Sequence, residues 1–390
     1  MSRMLIVTSR NIVSKGGELS LIKNRASALE SKWGIRTDAI ALCNSDLDVP
    51  EGQEEFGRAI YIRRHFSNPI ALLSGYRELI GKAIQTISAT HYDAVLLSGV
   101  GLLRYVERIR HHVDTETLVC ADVHGYYGDG LLIAKEEPLT LKTFHTLAAK
   151  EEEWEQKTFL KKFDRIFTVT KAYKTFLCNN AGCREEQFYI VPCANGTLPS
   201  LTEHDCQKNR SLYRAKYNVN EETLLLMYSG GASAWQCLPQ TVALYDEIRA
   251  QCDTKLVILS GDIQGIIGKI GNRPDIIIDS YPPEELPQVF CAADFCMMLR
   301  EDVPTNHFAY PNKFLEYAAS YKPVITTPFV YDIAAQIKEF GVGILYNGDV
   351  LDLISQMREF RCKKEKFNAL IRQNSFEATL VPFAHDLRLE

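Results

Sequence analysis

Three observations predict an α/β protein built from two parallel-sheet domains. Short apolar runs alternate with amphipathic segments along most of the chain. In each half, the first such run leads into a glycine-bearing loop and then a helical pattern, at residues 9–17 and again at 230–236. The chain has 390 residues, enough for two domains of ordinary size.

The bulk composition narrows the function. Hydrophobic residues make up 46% and charged residues 24%, as in soluble globular proteins. A net charge of −5 argues against a general nucleic-acid binder, which would carry a basic excess. The 11 cysteines are odd in number and lack a Cys-x-x-Cys pair. Many sit in or beside apolar runs, so they read as reduced, buried thiols of a cytoplasmic protein. No stretch is apolar for long enough to cross a membrane, so any membrane contact is expected to be peripheral.

The first half opens with the apolar run Met4, Leu5, Ile6, Val7, which fits a strand buried on both faces. Gly16 and Gly17 close the following loop. Leu19, Ile22, Ala26 and Leu29 then recur at helical spacing up to Gly34. Further strands are expected at 39–42, 59–62 and 94–99, with a helix over 70–89. Residues 102–112 interleave Arg104, Arg108, Arg110, His111 and His112 with apolar positions. That basic helix reads first as a solvated face; the alternative is a patch for anionic lipid heads or a charged acceptor. Residues 117–125 read as strand then loop, placing Asp122 and His124 at the carboxyl end of a parallel strand, where α/β proteins bind ligands. A long helix over 139–162, a strand over 163–170, a helix over 171–181 and a strand at 189–192 complete this domain, residues 1–195.

A polar linker, 196–222, is expected next. The pattern restarts in a second domain, 223–374. Leu224, Leu225, Leu226 and Met227 form a strand, followed by a loop containing Gly230, Gly231 and Ser233 and a helix over 239–250. Strand, Gly-rich loop and helix is an arrangement whose backbone N–H groups can hold a phosphate. The loop has no Walker lysine, and neither half has Gly-x-Gly-x-x-Gly, so a nucleoside-triphosphatase loop and a dinucleotide fingerprint are both absent. Strands follow at 255–262, with Gly261 at its end, at 276–281, which ends in Tyr281, and at 294–299. Final strands are expected at 324–327 and 343–346, with helix over 349–376. The tail, about 375–390, has room to pack back on the first domain.

The stretch 310–317 concentrates chemistry. It follows a polar loop, 300–307, that contains Arg300, Asn306 and His307. Pro311 suits the first position of a helix, because its missing N–H would be unpaired there anyway. Phe314 and Leu315 supply an apolar face, and Lys313 and Glu316 lie three apart on the helix. Read alone, this is either an ordinary ion-paired helix or a phosphate site at a helix N-terminus.

Taken together, these segments resemble GT-B glycosyltransferases, family 4 most of all. The resemblance covers most of the chain and is clearer in the second half. Tyr228-Ser229-Gly230-Gly231 with Trp235-Gln236 is similar to the first phosphate loop of that family's second domain. Residues 279–294 resemble the segment that shapes the base pocket. Pro311-x-Lys313-Phe314-x-Glu316-Tyr317, followed by Pro323-Val324-Ile325, resembles the donor-binding motif. The resemblance implies two Rossmann-like domains facing a central cleft. It implies transfer of a sugar from a nucleotide-diphosphate sugar, a co-substrate rather than a cofactor, to a glycan, lipid-linked or other hydroxyl acceptor. Retention of anomeric configuration and no required metal are implied as well, in the setting of cell-surface polysaccharide or glycoconjugate synthesis. Glu316 would bind the ribose; Lys313 and the loop N–H groups would bind the diphosphate. Gly230, Gly231, Ser233, Gly261, Tyr281, Arg300, Asn306, Pro311, Asn312 and Phe314 would complete the donor side. Gly16, Gly17, Asp122 and His124 would face the acceptor. Lys313, His124 and His307 are the catalytic candidates.

The chain departs from the family pattern in two places. Phe308 stands where family 4 commonly has a Glu, eight residues before Glu316. Residues 232–236 carry neither the usual Arg nor the usual Lys. Two other readings therefore stay open: a nucleotide-sugar epimerase of the same architecture, and a sugar-nucleotide-binding protein without catalysis.

Overall fold

A computed structural model describes residues 2–9, 17–44, 56–64, 69–99, 101–128, 131, 139–193 and 201–387. Gly16 lies outside them. The chain divides into two units, Met1–Gly196 together with Asn374–Glu390, and Thr197–Gln373.

The first unit is built on a parallel sheet. Its strands are β1 (Arg3–Thr8), β2 (Arg36–Asn44), β3 (Arg58–Arg64), β4 (Ala94–Ser98), β5 (Leu118–Val123), β6 (Arg165–Thr168) and β7 (Phe188–Ile190). They lie in the order β3-β2-β1-β4-β5-β6-β7, parallel throughout. The helices are α1 (Gly17–Trp33), α2 (Pro69–Ala89), α3 (Val106–Arg110), α4 (Leu139–Phe159) and α5 (Lys171–Ala181). A strand covered on both faces needs an unbroken apolar run, which explains why Met4, Leu5, Ile6 and Val7 are all buried. The α5 boundaries follow from local chemistry. Thr170 caps the N-terminus by accepting the Tyr173 N–H at 3.1 Å, and Gly182 takes the left-handed turn that ends the helix.

The second unit repeats the plan. Its elements are α6 (Glu203–Lys216), β8 (Leu224–Ser229), α7 (Leu238–Arg249), β9 (Thr254–Leu259), α8 (Ile263–Ile270), β10 (Ile276–Asp279) and α9 (Leu286–Phe290). There follow β11 (Phe295–Met297), α10 (Pro304–Phe308), α11 (Asn312–Ala319), β12 (Val324–Thr326), α12 (Tyr331–Phe340), β13 (Gly343–Leu345), α13 (Val350–Glu359) and α14 (Lys364–Asn374). The sheet order is β10-β9-β8-β11-β12-β13, again parallel. In both sheets the chain walks outward from the first strand, then returns to its other side. The point of reversal lies between β1 and β4, and between β8 and β11. Ligands of such sheets bind at the carboxyl ends of the two strands that flank the reversal.

The tail closes on the first unit through α15 (Phe376–Thr379) and α16 (Val381–Asp386). Asp386 pairs with Arg165 at 2.6 Å and accepts from the Tyr189 hydroxyl. Phe383 packs edge-on against Phe167, with ring centroids 5.1 Å apart.

Several local expectations need correction. Residues 203–216 of the expected linker form α6, which is anchored by a buried arginine. Arg214 donates to the carbonyls of Ala292 at 3.1 Å and Thr223 at 2.6 Å. Residues 102–112 make a 3-10 turn, Leu103–Tyr105, and the short α3 rather than one helix. Two of their arginines already have carboxylate partners: Arg104 pairs with Glu155 and Glu151, and Arg110 with Asp164 at 2.7 Å. Part of the polar loop 300–307 is helical, because Pro304 starts α10. Pro311 is the N-cap residue of α11 rather than its first helical position. Gly17 opens α1 instead of closing the loop. The helical stretch 349–376 is interrupted between α13 and α14.

Candidate functional site

The Gly-rich turn stands where β8 ends at the reversal. Gly230 donates its N–H to the Leu259 carbonyl at 2.9 Å, which holds the turn against β9. The Ser229 N–H donates to the Tyr317 hydroxyl at 2.9 Å, which ties the turn to α11. Gly230 has φ near +147°, and an added Cβ there would lie 1.9 Å from the Lys313 ammonium. A Cβ there would push the lysine end aside, and the positive φ itself favours glycine.

Lys313 comes from the first turn of α11. Its ammonium donates to Gln236 Oε1 and lies 5.2 Å from the Tyr228 ring centroid. The Tyr228 hydroxyl is 2.8 Å from the Gly231 carbonyl and 2.9 Å from the same Gln236 Oε1. Gln236 itself is set by its N–H to the Ser233 carbonyl at 2.9 Å.

Arg300 follows β11 and is 5% exposed. Its Nη1 donates to the Leu299 carbonyl at 2.7 Å and reaches the Gln236 carbonyl at 3.4 Å. Thr327 fixes its backbone, accepting the Arg300 N–H at 3.1 Å and donating to the Arg300 carbonyl at 2.6 Å. Beside Arg300 is a cavity of about 400 Å³, walled in part by Cys237, Leu244, Thr327, Phe329 and Tyr346.

The electrostatics are unusual for two cations. Neither Lys313 nor Arg300 has a carboxylate ion-pair partner among the described residues. Burial, and then the Arg300 charge, push Lys313 down to about 7, while Glu316 pulls it upward. Part of the lysine reaches solvent, but its ammonium is desolvated. Burial also lowers Arg300, whose guanidinium nonetheless stays charged at neutral pH. Two desolvated positive charges that repel each other, at a helix start and a Gly-rich turn, form a site suited to an anion.

Lys313, Arg300, Gly230, Gly231 and Ser233 are thus brought together, with Glu316 one turn along α11. The other donor-side candidates have different surroundings. Pro311 and Asn312 stand at the start of α11 and are partly exposed. The Phe314 side chain is fully buried in the core, so its ring cannot touch a donor. Asn306 is buried and donates to the Glu301 carbonyl at 3.0 Å, bracing the loop. His307 pairs with Asp302 at 2.6 Å and stacks on Tyr331 with centroids 4.4 Å apart. Gly261 is exposed, and a Cβ there would meet nothing within 4 Å. Tyr281 belongs to a cluster with Lys216, Tyr217 and Tyr213; its hydroxyl lies 2.9 Å from that of Tyr217.

In the first unit, Asp122 and His124 form a buried network at the end of β5. His124 Nε2 is 2.6 Å from Asp122 Oδ2, and Arg25 of α1 stands 3.1 Å from Oδ1. Ser98 at the end of β4 adds a hydrogen bond of 3.3 Å. Burial alone would raise the Asp122 carboxyl, but the Arg25 and His124 interactions outweigh it and hold it below the usual range. Sequence reasoning missed Arg25, and it named Tyr228 and Gln236 only within the loop resemblance, without a role of their own. An arginine on the inward face of the first helix was the one available signal, since a buried charge needs a partner.

Comparison with protein-family models finds no match, and no curated protein matches the chain. Solved structures do match over their full length. Sucrose-phosphate synthase from Thermosynechococcus elongatus is 14% identical, with 100% of this chain and 99% of that one covered and a TM-score of 0.72. A glycosyltransferase from Rickettsia africae is 13% identical, with 99% and 97% covered and a TM-score of 0.67. Anabaena HepE, solved in complex with UDP, is 13% identical, with 100% of both chains covered and a TM-score of 0.63. The fold is GT-B. At these identities the likeness establishes architecture, and the GT-B fold expected from the sequence holds in the order of both sheets. Within the GT-B fold, the Lys313–Arg300 site occupies the reversal of the second sheet.

Proposed function

We propose that this protein is a glycosyltransferase whose second unit binds the diphosphate of a nucleotide-diphosphate sugar at Lys313 and Arg300. The observation that carries the reading is the pair of desolvated cations without carboxylate partners among the described residues. A diphosphate supplies the missing negative charge and accepts charge-assisted hydrogen bonds from both. HepE, of the same fold, was solved with UDP, which supports a nucleoside diphosphate as the ligand class.

The chemistry follows from where charge develops. The bond between the sugar anomeric carbon and the diphosphate oxygen breaks. A bond to the acceptor hydroxyl oxygen forms, and the hydroxyl proton passes to the departing diphosphate oxygen. The departing diphosphate gains negative charge, which Lys313, Arg300 and the N–H groups of the Gly230–Gly231 turn are placed to stabilise. One such donor in a dry site contributes about 3–4 kcal/mol. Glu316 takes the ribose hydroxyls. In this reading His124, held by Asp122, is the acceptor-side group, and the acceptor is a glycan, a lipid-linked glycan or another hydroxyl compound. Transfer proceeds with retention and without a required metal, as in family 4.

The test is titration with UDP, GDP and ADP and their sugar conjugates, followed by product analysis. Lys313→Ala and Glu316→Ala are each expected to weaken donor binding or turnover about tenfold or more while remaining folded. Full affinity and full turnover in both variants would sink the assignment. Sugar conversion without any acceptor would instead point to epimerisation.

A further inference from the structure

We propose that Gln236 is the positioning residue of this site. It is a neutral acceptor that gathers Lys313, Tyr228 and Arg300 at the Gly230–Gly231 turn and yields Lys313 to an arriving diphosphate. The inference rests on the reading of the site given above. Three groups from three elements converge on this one residue. Its amide oxygen receives the Lys313 ammonium and lies 2.9 Å from the Tyr228 hydroxyl. Its backbone carbonyl is 3.4 Å from Arg300 Nη1. Its own position is fixed by the Ser233 carbonyl and the 3-10 turn Ala234–Gln236.

The neutrality of the amide is the point. Residues 232–236 carry no Arg or Lys, so the cation comes from α11 and the loop offers an acceptor. The groups facing Lys313 are Arg300 from the end of β11, Glu316 from α11 itself and the Tyr228 ring from β8. Arg300 repels the ammonium, Glu316 attracts it without forming an ion pair, and Tyr228 presents its ring. Gln236 therefore supplies the acceptor. A carboxylate in its place would bind the ammonium as an ion pair, and a diphosphate would have to break that pair to enter. An apolar side chain would leave the ammonium without an acceptor and favour its neutral form. The amide holds the cation while leaving its charge for the ligand.

The experiment compares wild type with Gln236→Glu and Gln236→Met, both close to glutamine in size. Calorimetric affinity is measured from about pH 6 to about pH 9 for whichever of UDP, GDP and ADP the wild type binds tightest. The Glu variant is expected to bind about tenfold or more weakly at neutral pH, with its alkaline loss of binding displaced about one unit upward. The Met variant is expected to bind more weakly, with that loss displaced downward. Opposite displacements separate positioning from a general packing defect, and the Glu variant alone decides the matter if the Met variant does not fold. Wild-type binding with unmoved pH limbs in the variants would overturn this inference and leave the site reading intact. No binding by wild type would overturn the site reading and this inference with it.

Discussion

The ammonium of Lys313 rests on the backbone of Gly230, so close that a Cβ on that residue would fall 1.9 Å from Nζ. The lysine end is movable, but the φ of +147° is unfavourable for any residue with a Cβ. Gly230→Ala should therefore displace the cation and strain the turn together. Nucleoside diphosphate affinity is expected to fall about tenfold or more, with about 1–3 kcal/mol of lost stability from backbone strain. Titration of UDP, GDP and ADP alongside thermal unfolding checks both. Unchanged affinity would show that binding does not depend on the ammonium resting against Gly230.

Ligand affinity should depend on pH through Lys313. Burial and Arg300 set its free-state value at about 7, and a bound diphosphate stabilises the protonated form and raises it. Affinity is therefore full below about 7 and declines above it, by up to about tenfold per unit, until the bound-state value is passed. Calorimetry across this range with a fixed nucleoside diphosphate measures the slope. In Lys313→Met the decline should vanish along with most of the affinity.

The sheets were legible because a doubly covered strand requires unbroken apolar sequence, as in residues 4–7 and 224–228. Helix α8 was not, since Gly265 and Gly268 interrupt its pattern, and it holds through its cap, Asp262 accepting the Gly265 N–H at 2.8 Å. Lys313 stood out by charge and by its place after Pro311. Its partner stood out only as the end of the Gly-rich loop: Gln236 is uncharged and 77 residues away, so nothing local tells that the fold brings its amide to the ammonium. Arg300 read as a donor-side residue of a polar loop, but its burial was not legible, because it depends on Gln236 and Thr327, 64 and 27 residues away in sequence.

Lys313 should also reveal a conflict between binding and stability. Its value falls from an ordinary 10.5 to about 7 on folding, so between these values the unfolded chain binds more protons. Stability then rises with pH across that window, and below about 7 the folded protein carries the buried charge in full. Lys313→Met should raise the thermal midpoint of the ligand-free protein most on the acid side, with the gain shrinking toward pH 10. A loss of stability at every pH would mean that the lysine is a structural element.

The buried pair Arg25–Asp122 makes the opposite prediction for the first unit. Arg25 is 2% and Asp122 3% exposed, so removing one partner strands the other charge away from water. Arg25→Met should lower stability by about 3–5 kcal/mol, and adding Asp122→Asn should restore part of it, because the stranded charge is then gone. The pair also sets an acid limit. The Asp122 carboxyl is held below its ordinary value in the folded state, so its contribution is present above that value and lost as pH falls through the folded one. Acid unfolding of the wild type should steepen below about pH 4, and the double variant should lack this component. Equal acid sensitivity in both proteins would place the origin of acid unfolding elsewhere.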